Sequence, residues 1–93
     1  MEELELNDVR SVLIRCTVKG EGMFPTEFTV EIETAEGPIA IYADQSLLAE
    51  GQTALKATRF STEHDIAVCL LPIEDVDSRW VRIPTENVRD EAA

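Results

Sequence analysis

Histidine, cysteine, serine and paired carboxylates are where catalysis or metal binding would begin in this chain, and each is thinly supplied with partners. His64 is the single histidine and stands between Glu63 and Asp65. A general base or a metal ligand needs groups converging from different parts of the chain, and two sequence neighbours do not close a site. His64 therefore reads as an exposed turn residue. Ser46, Ser61 and the threonines have no histidine spaced to take their proton. Cys16 and Cys69 sit in alternating apolar segments, without a CxxC spacing or clustered histidines, and read as buried free thiols rather than a zinc or redox pair. With nineteen Asp and Glu residues, some carboxylates will be neighbours by chance, and a pair without a cleft marks no glycosidase. The expectation is a non-enzyme with no metal and no cofactor.

The elements that would position these residues are short strands. Residues 12–18 alternate, with Val12, Ile14, Cys16 and Val18 on one face; residues 27–33 set Phe28, Val30 and Ile32 against Glu27, Thr29, Glu31 and Glu33. Period-two alternation marks a strand with one buried face. Pairing the two antiparallel, with Cys16 opposite Val30, also sets Arg15 across from Glu31 and Lys19 across from Glu27. A turn at Glu36-Gly37 leads to Ile39, Ile41 and Ala43, with Ile32 opposite Ile41. Asp44 to Gly51 reads as one or two helical turns, capped by Asp44 and ended by a left-handed Gly51. Strands over 53–60 and 65–72 follow, joined by a four-residue loop at Ser61–His64, with Leu55, Ala57, Ile66, Val68 and Leu70 facing the core. In the last hairpin Val81 meets Leu70 and Ile83 meets Val68. The sum is an all-β fold, an antiparallel six-stranded meander with a short helix between its third and fourth strands. A sheet that long in a chain of 93 residues must curl into a small barrel. Residues 1–8 form an acidic N-terminal segment, and residues 9–90 a single domain.

The tail Trp80-Val81-Arg82-Ile83-Pro84-Thr85-Glu86-Asn87-Val88 resembles the close of a Src-homology-3-like barrel. There a strand ends in an Ile-Pro step, a single 3₁₀ turn follows, and a Val opens the last short strand. Proline suits that place because it cannot continue the ladder. The resemblance implies a fold and no function; the chain lacks the Ala-Leu-Tyr-Asp-Tyr segment and clustered aromatics of peptide-binding members. A fainter similarity links Arg10, Arg15 and Asp44-Gln45-Ser46 to the RxxxR and DxSxxG motifs of PilZ domains, small barrels that bind cyclic diguanylate. The arginines are one residue too far apart, and Ala49 stands where the glycine should, with Gly51 two residues late.

The remaining signals are surfaces. A net charge of −11 opposes nucleic acid and anionic membranes, both of which are held by Lys and Arg. No apolar run is long enough for a membrane helix, and the acidic start lacks the regions of a signal peptide, so the expected location is cytoplasmic. The expected registers place Trp80, Leu71, Arg82 and Cys69 on the face away from the core, an unusual set for a solvated surface. Either the strands are wrapped on both faces, or the segment around Leu4 and Leu6 covers the patch, or it binds another protein or a second copy. Glu27, Glu31, Glu33 and Glu36 on one hairpin suggest an alternative, an acidic protein that occupies a basic protein surface. Met23-Phe24-Pro25 offers a second apolar spot, read as a plug at a barrel end.

Overall fold

The structure, a computed structural model, describes residues 9–73 and 79–91, with Arg79 described by its backbone. The acidic segment 1–8 and the polar loop 74–78 lie outside the described residues. The chain runs β1 (Arg10–Arg15), β2 (Thr17–Glu21), β3 (Glu27–Thr34), β4 (Gly37–Asp44), a 3₁₀ turn (Gln45–Leu47) and β5 (Leu48–Ala49). It continues with β6 (Ala54–Glu63), β7 (Ile66–Leu71), β8 (Arg79–Pro84), a second 3₁₀ turn (Thr85–Asn87) and β9 (Val88–Asp90). All pairing is antiparallel, in two sheets: β8-β7-β6-β1-β9 with β5 appended to β6, and β2-β3-β4.

The all-β expectation therefore stands, and its finer details change. Among the described residues neither sheet closes into a barrel. The meander is divided because the first alternating run breaks at Cys16, whose N–H donates to the Thr53 carbonyl at 3.0 Å. Before the break β1 pairs with β6 and β9; after it β2 pairs with β3. Inward alternation runs unbroken through Val12, Ile14, Cys16 and Val18, so the change of sheet leaves no mark in the hydrophobic pattern. A strand that passes from one sheet to the other is how a two-sheet sandwich turns its corner. The core lies between the sheets and includes Val12, Ile14, Val30, Ile32, Leu55, Cys69 and Ile83, each fully buried.

Register differences follow from local geometry. Val18, not Cys16, meets Val30, and Arg15 lies opposite Ala54, so Glu31 takes Lys19 as its partner at 4.0 Å. The β3–β4 turn forms on Ala35-Glu36, one step earlier than expected, and brings Ile32 to Ile39 and Val30 to Ile41. Thr34 holds it: its hydroxyl donates to the Gly37 carbonyl at 2.6 Å and accepts from the Glu36 N–H at 3.1 Å. Both shifts move by two residues and keep the faces. The helix between β4 and β5 is only the 3₁₀ turn, too short to propagate. Asp44 does cap it, accepting from the Ser46 N–H at 2.9 Å, and Gly51 does take a left-handed φ of +68°.

The β6–β7 hairpin differs most. Its loop is not Ser61–His64 but His64-Asp65, both at left-handed φ (54° and 66°), and a bulge at Phe60 inserts one extra residue into β6. Beyond it Cys69 pairs with Val81 and Leu70 with Trp80, one residue from the expected register. A one-residue slip exchanges the faces of a strand, so Ala67, Cys69 and Leu71 enter the core and Ile66, Val68 and Leu70 turn outward. The closing segment follows its expected course: β8 ends at Pro84, a single 3₁₀ turn follows, and Val88 opens β9 opposite Ile14.

Candidate functional site

The outer face of β6, β7 and β8 carries an apolar cluster that the strand registers build row by row. Thr58, Leu70 and Trp80 are cross-strand neighbours in one row, and Ser61, Val68 and Arg82 in the next. Phe60, the bulged residue, stands beside them with its ring edge-to-face on Trp80, centroids 4.9 Å apart and planes at 62°. That geometry aligns a positive ring edge with a negative face and fixes both side chains. Trp80 nevertheless remains 52% exposed, while Leu70, Val68 and Phe60 are each only partly covered. Arg82 borders the cluster, its guanidinium donating to the Glu36 carboxylate on the β3–β4 turn. The Ala35 N–H donates to the Arg82 carbonyl at 2.7 Å from the same turn, so the rim is held by main chain and side chain together.

Of the four residues expected on this face, the structure brings together Trp80 and Arg82 only. Cys69 and Leu71 point the other way, at 0% and 2% exposure, because of the register slip described above. Their places are taken by Leu70 and Phe60. Leu70 was hidden by a strand apolar on both faces, Ile66 to Leu71, where alternation cannot choose a side. Phe60 was hidden by its bulge, which no residue type announces. Burial pushes the Cys69 thiol up to about 11, against a smaller opposing pull from Arg59, and raises Cys16 as well. Both sulfurs are therefore held neutral and unreactive. Arg59 is instead directed at Asp90, which also takes Arg10 at 3.1 Å.

The acidic set divides. Glu27, Glu31 and Glu33 lie along the outer face of β3, whereas Glu36 is in the turn against Arg82. Arg10 and Arg15 sit at opposite ends of β1, roughly 16 Å apart at strand rise, and Asp44 is occupied by the Ser46 N–H and the Thr26 hydroxyl. These hydrogen bonds hold the Asp44 carboxyl below its ordinary range. Met23 and Phe24 do not plug the core; they are 70% and 63% exposed at the β2–β3 turn. A shallow depression of about 430 Å³ lies between β1, β9 and the loop after β5, crossed by an ion pair between Arg89 and Glu50. His64 is exposed, 3.9 Å from Glu63. Among the described residues no group of three or more His, Cys, Asp or Glu side chains is placed to hold a metal ion, and no helix is long and apolar enough to cross a membrane.

No family model, curated protein or solved structure matches the chain. A pre-set aromatic pair, flanked by branched aliphatics and bordered by an arginine, can bury area against a partner with little loss of side-chain freedom.

Proposed function

We propose that this domain is a non-catalytic interaction module that binds another protein through the outer face of β6, β7 and β8, with Trp80 as its anchor. One observation carries the reading: a strand tryptophan packs edge-to-face on Phe60 and is still half exposed. Aromatic residues and Arg are enriched at interfaces, Trp and Arg also where binding energy concentrates, and Lys, Glu and Asp, which interfaces deplete, are absent from the Leu70–Trp80 row. Support for a Src-homology-3-like fold comes from the Ile83-Pro84 step, the turn at Thr85–Asn87 and Val88 re-entering beside β1. The face itself is carried by the β8-β7-β6-β1-β9 sheet, and the function rests on that face.

The test is site-specific cross-linking. A photoreactive residue replacing Thr58, at the edge of the face, should capture a discrete partner in the cells that make the protein. The same capture from a Trp80→Ala background should be lost while the fold is retained. A cross-linking pattern indifferent to Trp80 would remove the claim, and a product of twice the chain mass would identify the partner as a second copy.

A further inference from the structure

We propose that the open edge of β4 is a second docking site, which adds an extended basic peptide as a fourth strand to the β2-β3-β4 sheet. Main-chain bonds at the ends of the hairpins fix which groups face that edge. Gly22 donates to the Glu27 carbonyl on the β2 side of β3, and Gln45 donates to the Thr26 carbonyl on the β4 side. Bonding direction alternates along an antiparallel strand, so Phe28, Val30, Ile32 and Thr34 bond to β4. Their partners there are Ala43, Ile41, Ile39 and Gly37. The N–H and C=O groups of Ala40 and Tyr42 therefore point off the edge, where no other strand pairs with them among the described residues. Pro38 shares that direction, and its missing N–H costs the ladder nothing there.

Edges of this kind are normally blunted by charge, proline, a bulge or brevity. The opposite edge, β2, has three of these: Lys19, a register shift between Val18 and Gly20, and a length of five residues. β4 has eight residues in unbroken register and no charged side chain from Gly37 to Ala43; its one such device, Pro38, stands at the second position and leaves the outward N–H groups of Ala40 and Tyr42 as donors. It is therefore suited to strand addition, in which main-chain bonds supply affinity and alternate side chains supply selectivity.

The neighbouring row selects the occupant. On the outer face Glu33 lies beside Pro38 and Glu31 beside Ala40. An added strand would run about 10 Å beyond β3, two inter-strand spacings away. The small Pro38 and Ala40 leave the space between clear, so Lys or Arg side chains on alternate positions of the added strand reach across to Glu33, and to Glu31 in competition with Lys19. A second copy is disfavoured at the same edge because it brings no basic side chain to the acidic row and joins two chains of net charge −11.

A hexapeptide of alternating lysine and valine, titrated into the full chain and followed by amide NMR, tests this. Shift changes should centre on Ala40 and Tyr42. With about nine sites in ten filled, exchange of those two amides should slow about tenfold. Ala40→Pro should abolish binding by removing an outward N–H. Glu31→Gln with Glu33→Gln, which leaves the backbone untouched, should weaken it about tenfold at low salt. Equal binding of the alternating glutamate–valine peptide, shifts centred away from β4, or a β4-dependent doubling of mass without peptide would each overturn the proposal.

Discussion

Leu70 and Leu71 are adjacent, equal in size and opposite in consequence. Leu71 is 2% exposed inside the core, whereas Leu70 lies in the outer row beside Trp80. Leu71→Ala should therefore cost about 2–5 kcal/mol, the range for emptying a well-packed site, and Leu70→Ala about 1 kcal/mol or less. Urea unfolding of the two variants measures the difference, and equal losses would contradict the register. Cys69 offers a second check at this scale. Its folded thiol ionises near 11, against the ordinary 9.0 that the unfolded chain will show. The unfolded state thus gives up its proton first, and stability should fall as pH rises above about 9. Alkylation of native protein at pH 8 should be slow at both cysteines and fast after denaturation. Burial of the cysteines was legible from their place in apolar strands; the side to which Cys69 points was not, because every residue from Ile66 to Leu71 is apolar.

At the scale of elements, the strands were legible and the joints between them were not. Alternation located Leu55, Ala57, Val81 and Ile83 in the core, where they are. Turn chemistry misled because His64-Asp65 does what Asn-Gly usually does, at φ values that cost most residues energy. Replacing the pair by His64→Asn and Asp65→Gly should keep the hairpin and stabilise it by about 1 kcal/mol, read as a rise in urea midpoint at unchanged slope. A loss of stability would mean that the two side chains hold the turn by contacts of their own. The bulge at Phe60 and the break at Cys16 belong to the same class. Each depends on what the strand meets across the sheet, which a linear pattern does not record. That is also why the candidate face was half legible: Trp80 and Arg82 lie on a strand whose faces differ in polarity, whereas Leu70 lies on a strand apolar on both faces and Phe60 at a bulge.

For the whole molecule, the excess of acid has a consequence for stability. Several cations are already engaged, Arg10 and Arg59 on Asp90, Arg82 on Glu36 and Arg89 on Glu50, and the surplus negative charge is left to repel itself. These pairs are exposed enough to contribute little, while self-repulsion acts across the entire surface. Raising sodium chloride from low to physiological strength should therefore raise the melting temperature; a fall would show the pairs to dominate. The same screening leaves an apolar contact at Trp80 largely intact and weakens a basic peptide at β4, so salt separates the two surfaces. The most direct measurement is the affinity of the partner captured at Thr58 for native protein and for Trp80→Ala, by titration at physiological salt. An anchor tryptophan predicts a loss of about thirtyfold or more with the fold unchanged. An affinity that Trp80→Ala leaves the same would contradict the account.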